Sequence, residues 1–284
     1  FELSQCEQAL CIVNSRAHAR ELYRLISDQK GAYHLSACMC PRHRSEELDA
    51  IRRALKDGAP CRVVSTQLVE AGVDLDFPVV FRASAGLDSI AQAAGRCNRE
   101  GKLTTGDLFV FQPVGRRLLG WFQRTATVAD MGLRHTDDPL GLGAVESYFQ
   151  RLYDIEGDGL DKERIMETVG EEWKRLSFPF AQIADGFQVI DSNTVTIVIP
   201  WDDDVQDLID RAAYAPSYRL FRRLQQYVVQ VYPNQFAQLE RCGKVRTLGG
   251  DKGAIHVLTD KSCYTEVGLE MTEDLDAAGG AWFV

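Results

Sequence analysis

Residues 92–99 have the residue types and spacing expected of groups that act on a transferring phosphate. Gln92, Gly95, Arg96 and Arg99 follow the spacing i, i+3, i+4 and i+7, which predicts that they share one face of a helix. Two guanidinium groups one turn apart suit the negative charge that spreads over a γ-phosphate during its transfer. The spacing therefore predicts an arginine finger on this helix. An exposed amphipathic helix would carry the same arginine pair.

A segment further back in the chain combines hydroxyl, carboxylate and glycine residues in the order S-T-Q-x-x-E-A-G-V-D, at 65–74. It follows a short apolar strand, and ligands of parallel sheets collect at the carboxyl ends of strands. Hydroxyl groups and loop amides at such a place can bind phosphate without reading a base sequence. Turn and capping residues have a similar composition, so that alternative stays open.

These motifs, in this order, resemble the second RecA-like domain of superfamily 2 helicases. Residues 14–16, 65–74 and 92–99 resemble helicase motifs IV, V and VI. The segment STQLVEAGVDLDFP, followed by AGLDSIAQAAGRCNREG, is closest to the helicase–nuclease that type I CRISPR interference systems recruit to degrade invading DNA. The resemblance implies an ATP-dependent translocase on single-stranded DNA, moving 3′ to 5′ and coupled to a nuclease.

The resemblance assigns a role to each residue near the nucleotide. Arg96 and Arg99 would be catalytic and reach the ATP phosphates, and Gln92 would contact the phosphates or the attacking water. Gly95 would let its helix pack near the cleft.

The resemblance also assigns roles to the loop at 65–74. Gly72 would allow close approach of the backbone, and Asp74 would accept a hydrogen bond from the ribose. Glu70 would order this loop and couple the nucleotide to the DNA.

Contact with the DNA backbone is implied for five residues near the first and third strands: Asn14, Ser15, Arg16, Ser65 and Thr66. Part of the segment at 34–44 would line the strand path, or else form the solvated start of a helix (His34, Ser36, Arg42 and Arg44).

Half of a complete motor is missing from this sequence. It has no phosphate loop of the form G-x-x-x-x-G-K-[ST] and no DEAH-like carboxylate pair. The five histidines are scattered and suggest no metal site in this chain. Because the chain begins with Phe1, we expect a C-terminal part of a longer polypeptide. The upstream nuclease and first RecA-like domain would share ATP and Mg with it, and the chain alone would not hydrolyse ATP.

The first 115 residues alternate strands and helices, which predicts an α/β fold: a RecA-like parallel sheet with helices on both faces. Ser15 is a predicted N-cap of a helix reaching about residue 28. Pro41 and Gly58 bracket another helix at 41–56. The predicted strands are 10–14, 33–36, 62–65, 79–82 and 107–111.

The rest of the chain is predicted to form a helical connector at 116–180 and a smaller α+β domain at 181–284. The first predicted domain is therefore 1–115. In the last domain, residues 218–223 alternate aromatic and basic side chains, as platforms for single strands do. A helix that buries its aromatics is the alternative. Predicted strands are 186–190, 194–199 and 227–232, with helices at 203–212, 217–225 and 233–241.

Charge is divided unevenly along the chain, whose net charge is −9. Residues 1–115 hold 14 basic and 14 acidic side chains, whereas the remainder holds 18 and 27. Broad electrostatic adhesion to nucleic acid is therefore disfavoured, although local groups can still bind phosphate. The acidic half suggests an alternative function, a non-enzymatic docking module for the RNA-guided surveillance complex. Another superfamily 2 nucleic-acid helicase is a further alternative.

Cellular location follows from what the sequence lacks. No apolar run approaches the roughly 20 residues of a membrane span, and the start has no signal-peptide pattern. The eight cysteines show no disulfide rhythm. These features predict a cytoplasmic protein without a membrane partner.

Overall fold

The computed structural model describes residues 2–115, 118, 120–133, 136–174, 177–187, 194–249 and 254–270. Two compact units are present. The larger takes its described residues from 2–84, 89–115 and 194–270, and the smaller takes them from 85–88 and 118–187.

A five-stranded, fully parallel sheet forms the centre of the larger unit, in the order β2-β3-β1-β4-β5. Its strands are β1 (Gln8–Ile12), β2 (Ala32–Leu35), β3 (Cys61–Ser65), β4 (Val79–Ala83) and β5 (Asp107–Phe111). The predicted parallel sheet is thereby confirmed, with strand limits that differ from the predicted ones by at most two residues.

Helices cover both faces of this sheet, as predicted. They are α1 (Arg16–Arg24), α2 (Pro41–Lys56) and α3 (Leu87–Ala94). Successive residues of a strand point to opposite faces. Leu10 of β1 therefore packs with Ile51 of α2 and Ala93 of α3, whereas Cys11 packs with Tyr23 of α1.

Local signals set two helix limits. The Ser15 hydroxyl accepts the His18 N–H at 3.2 Å and caps α1. This helix ends at Arg24, so the predicted extension to residue 28 is wrong. The α2 helix has the predicted limits, because Pro41 suits a first helical position and lysine and arginine fill the last turn.

The helix α3 ends before the arginines, so the prediction that Gln92, Gly95, Arg96 and Arg99 share one helical face is wrong. Only Gln92 lies in the helix. After Ala94, the backbone pairs with Phe77 just before β4. The Phe77 N–H donates to the Arg96 carbonyl, and the Asn98 N–H donates to the Phe77 carbonyl, both at 2.9 Å. These long-range bonds replace the next helical turn.

The smaller unit is helical in its described part. Leu87 and Tyr148 belong to its buried cluster, and the Tyr148 hydroxyl donates to Asp88 at 3.2 Å. The predicted strand 186–190 does not begin where expected, because Gly186 ends a helix; residues 188–190 lie outside the described residues. The helices are α4 (Gly120–Leu133), α5 (Leu142–Glu156), α6 (Ile165–Trp173) and α7 (Phe180–Gly186).

A second, mixed sheet belongs to the larger unit, in the order β7-β6-β9-β8. The β6–β9 pair is parallel, and the other two pairs are antiparallel. The strands are β6 (Val195–Val198), β7 (Val228–Val231), β8 (Val245–Leu248) and β9 (Ile255–Leu258). The accompanying helices are α8 (Asp203–Tyr214), α9 (Tyr218–Leu224) and α10 (Pro233–Arg241).

In α9 the leucines provide most of the burial. Leu220 and Leu224 are buried, Phe221 is half-buried and Tyr218 is exposed. The alternative that this helix buries its aromatics therefore holds in part for Phe221 and not for Tyr218.

The second sheet packs on the amino-terminal end of α2. Trp201 stacks on His43 with ring centres 4.1 Å apart. The Tyr264 hydroxyl accepts the Cys40 N–H at 2.9 Å and lies 3.0 Å from His43 Nδ1. Tyr264 begins a short hairpin, β10 (Tyr264–Thr265) and β11 (Gly268–Leu269). Within the larger unit, the two sheets therefore share one packed junction.

Two side chains near this junction correct part of the predicted DNA path, because side chains closed to solvent cannot line it. His34 and Ser36 are buried, and the Ser36 hydroxyl accepts the Cys38 N–H. Arg42 pairs with Glu46 at 3.0 Å.

No described helix combines the length and the apolar character that crossing a membrane requires.

Candidate functional site

The loop at 65–74 and the segment at 92–99 meet through Arg96. This arginine is buried, and its Nε donates to the Val69 carbonyl at 2.9 Å while its Nη2 donates to the Glu70 carbonyl at 2.8 Å. Burial lowers the pKa of the Arg96 guanidinium, and repulsion from Arg99 adds to that effect. The group still keeps its charge, since arginine does not deprotonate in proteins. Arg96 therefore fixes the backbone of this loop.

Arg99 lies at the surface and faces the end of the same loop. Its Nη1 is 2.8 Å from Asp74 Oδ1, in a pair whose side chains are 44% and 82% exposed. Its backbone N–H donates to Asp76 at 2.7 Å. The bond to Asp76 holds the backbone of Arg99 in place. Exposed ion pairs contribute little free energy, so the guanidinium of Arg99 can exchange Asp74 for a phosphate.

The remaining residues expected near the nucleotide are open to solvent. Gln92 is exposed on α3, and Gly95 follows directly after that helix. Gly72 has a φ of +71° with open space around its α-carbon, a conformation that glycine adopts without strain. Gln92, Gly95 and Gly72 are therefore accessible to a ligand from solvent.

The side chains expected to touch DNA are mostly engaged within the protein. The Asn14 amide donates to the Ser84 carbonyl at 2.8 Å, and the buried Ser65 hydroxyl donates to the Leu35 carbonyl at 3.0 Å. Ser15 caps α1, as described. Thr66 is buried at the end of β3. Direct contact with phosphate therefore remains a prediction for these residues.

Arg16 has a different environment. It is half-buried in the first turn of α1, and its guanidinium carbon lies 5.8 Å from the centre of the Tyr232 ring. A cation over an aromatic ring keeps its hydrogen-bond donors available at the edge. Arg16 is therefore the residue of this group best placed to bind a phosphate.

Sequence reasoning missed Arg82. This residue of β4 is fully buried, and its Nε lies 2.8 Å from Glu70 Oε1. Its Nη1 donates to Asn14 Oδ1 at 2.7 Å. A single charged residue inside the apolar strand VVFRA was the available signal, because a buried charge requires a partner. Arg82 joins the two loops that carry the predicted site.

Metal ligands are not grouped in the described residues. Nowhere in that part of the chain do three or more His, Cys, Asp or Glu side chains form a cluster able to hold an ion.

Comparison with known proteins identifies related chains. Residues 5–102 match the family model of the C-terminal part of the CRISPR-associated nuclease/helicase Cas3. The Methanothermobacter thermautotrophicus protein named CRISPR-associated nuclease/helicase Cas3 is 26% identical over 168 residues, which are 57% of this chain and 20% of that protein. The Haloferax volcanii protein of the same name is 65% identical over 40 residues, 14% of this chain and 4% of the relative. This chain thus spans a small part of either relative.

Solved structures share the fold. The crystal structure of T. fusca Cas3-ATP matches with a TM-score of 0.51 and 20% sequence identity, covering 83% of this chain and 33% of that one. With the ordered motifs and the parallel sheet, the match over residues 5–102 makes this part of the chain similar to the C-terminal part of the CRISPR-associated nuclease/helicase Cas3.

Proposed function

We propose that this chain supplies the arginine-bearing half of the ATP site, and part of the single-strand path, in an ATP-driven DNA translocase coupled to a nuclease. The observation that carries the proposal is the surface pairing of Arg99 with Asp74. Asp74 ends the loop at 65–74, whose backbone accepts two hydrogen bonds from Arg96. This arrangement presents an exposed guanidinium beside the loop at 65–74, just before the start of β4.

The proposed chemistry divides the work between the two arginines. Arg99 would leave Asp74 and stabilise the charge that develops on the γ-phosphate. Asp74, once released, would accept a hydrogen bond from the ribose. Arg96 would hold the loop and Gln92 would approach the phosphates or the attacking water. The Mg ion would arrive with ATP and be held by the phosphates and by a second, P-loop-bearing domain of the same protein.

The polynucleotide would run past the ends of β1 and β3. Hydroxyls and amides there can bind phosphate without reading sequence, and Arg16 adds a cation. We propose single-stranded DNA as the substrate, and the RNA-guided surveillance complex as the partner that delivers it. All eight cysteines are free thiols, which suits a reducing compartment such as the cytoplasm.

The test is ATP hydrolysis by the complete protein that joins this chain to its P-loop domain. Arg99→Ala is expected to lower DNA-stimulated hydrolysis about 10³-fold, because a finger arginine supplies roughly 10³–10⁵ in rate. Binding of single-stranded DNA should stay within a few-fold. Hydrolysis near the unmodified rate in this variant would refute the assignment.

Arg52→Ala is the matched control. Arg52 lies on α2, its side chain is 47% exposed, and it pairs with Asp49 at 3.0 Å. It thus resembles Arg99 in exposure and pairing but lies outside the proposed site. Its replacement should leave hydrolysis and DNA binding unchanged. This chain produced alone should not hydrolyse ATP, and activity from it alone would contradict the need for a second domain.

A further inference from the structure

Burial of the charged Arg82 side chain has an unfavourable free energy. This side chain is fully buried in β4, where a guanidinium loses its hydration. A buried charge persists only when partners satisfy it. An apolar residue would fill the same strand position without that penalty. The residues that Arg82 contacts therefore indicate the role of its guanidinium.

Those partners come from two separate predicted motifs. Arg82 Nε lies 2.8 Å from Glu70 Oε1, beyond the end of β3. Arg82 Nη1 donates to Asn14 Oδ1 at 2.7 Å, beyond the end of β1, and to the Ala83 carbonyl at 2.7 Å. One planar side chain thus contacts both loops.

Sheet order makes this bridge possible. The central strand β1 lies between β3 and β4, and Ile12 is in register with Arg82. A side chain near the carboxyl end of β4 can therefore reach both loops that follow the neighbouring strands. The guanidinium suits this position because its donors diverge in one rigid plane, whereas the lysine ammonium is a compact point charge.

The bridge continues to the nucleotide side. The backbone carbonyl of Glu70 accepts from Arg96 Nη2 at 2.8 Å. Asn14, Arg82, Glu70 and Arg96 therefore form one contiguous chain of contacts inside the larger unit, from the predicted DNA side to the predicted ATP side.

We propose that Arg82 is a positioning residue that couples DNA binding to ATP hydrolysis. When DNA draws the Asn14 amide towards a phosphate, Arg82 loses an acceptor and must shift with it. A buried guanidinium cannot leave its donors unsatisfied without a large penalty, so Glu70 and the loop held by Arg96 follow. This inference rests on the proposed function and deepens it.

The experiment is Arg82→Lys in the complete protein. The first readout is the ratio of ATP hydrolysis with and without single-stranded DNA. The second is the change in DNA affinity on adding a non-hydrolysable ATP analogue. Coupling between sites is typically 5–150-fold and reciprocal for binding, so both ratios should fall about tenfold. A merely structural role would lower the melting temperature and leave the two ratios unchanged.

Arg62→Lys is the control for replacing a buried arginine. Arg62 lies in the adjacent strand β3 and is also buried, but it donates to the Lys30 carbonyl at 3.1 Å, at the other end of the strand. It contacts neither loop of the site. Its replacement should change stability without changing either ratio.

Glu70→Gln is the second variant, should Arg82→Lys fail to fold. It keeps the size of the side chain and removes the charge that Arg82 meets, so both ratios should again fall. Wild-type ratios in a folded Arg82→Lys protein, or in Glu70→Gln, would overturn the inference while leaving the proposed function intact. A parent protein whose ATP hydrolysis ignores DNA would overturn the proposed function itself.

Discussion

Arg96 and Arg99 lie three positions apart and use their charges differently. Arg96 is buried and donates hydrogen bonds to two carbonyls of the loop at 65–74. Arg99 is partly exposed and keeps its guanidinium on a weak surface pair with Asp74. At the residue scale, one arginine therefore builds the site and the other is available to a ligand.

Two buried histidines predict a pH dependence of stability. Burial lowers the pKa of His34 to about 3, with repulsion from Arg20 and His43 as smaller causes. Burial also lowers the pKa of His43 to about 4. Both side chains are therefore neutral in the folded protein at neutral pH, whereas a histidine in the unfolded chain titrates near about 6.5.

The sign of the effect follows from proton uptake. As pH falls below about 6.5, these two histidines bind protons in the unfolded chain but stay neutral in the folded protein. The free energy of unfolding therefore falls. The slope should approach about 1.4 kcal/mol per pH unit for each such histidine. Urea unfolding between pH 7 and pH 5 measures it. His43→Gln should reduce the slope, and an equally steep slope in that variant would contradict the explanation.

At the element scale, the short hairpin β10–β11 joins the second sheet to the first. The Leu269 N–H donates to the Cys38 carbonyl at 2.8 Å, and Val267 belongs to the core around α1. The hairpin thus inserts between elements that are distant in sequence. Its tight approach depends on Gly268.

Gly268→Ala should destabilise the protein by about 3 kcal/mol or more. Gly268 has a φ of +89°, and an added methyl group would collide with the backbone of Cys38 and Met39. Gly243→Ala is the matched control, because Gly243 has a φ of +66° with open space around it. Both variants carry backbone strain, so the difference in their urea midpoints isolates the collision. Equal midpoints would show that the hairpin can move away.

At the scale of the larger unit, the two sheets have interlocking cores. Cys40, which precedes α2, lies in the core of the second sheet. Val267, from the hairpin, lies in the core of the first. Their burial is mutual, so neither sheet keeps a complete core without the other.

Truncation after residue 115 should therefore expose apolar surface on the first sheet. The shortened chain is expected to bind a hydrophobic dye and to lose its sharp unfolding transition, as chains without fixed packing do. The full chain in the same buffer is the reference. Cooperative unfolding of the shortened chain at the full-chain midpoint would show that the first sheet is independent, and would support the predicted domain 1–115.

The sequence by itself determined the features that depend on local signals. Pro41 begins α2 and Pro233 begins α10 as predicted, because proline is favoured in a first helical turn. Apolar runs of strand length gave the five parallel strands. The ordered motifs carried the resemblance to the CRISPR helicase–nuclease family, since residues 14–16, 65–74 and 92–99 are each short and contiguous.

Only the tertiary structure decided how the site residues are used. Phe77 takes the hydrogen bonds that would have continued α3, so Arg96 turns inward and Arg99 remains at the surface. Arg82 acquires its role because β1 lies between β3 and β4, which brings Asn14 and Glu70 to one guanidinium. These outcomes depend on contacts between residues far apart in the chain, and residue spacing within one segment carries no record of them.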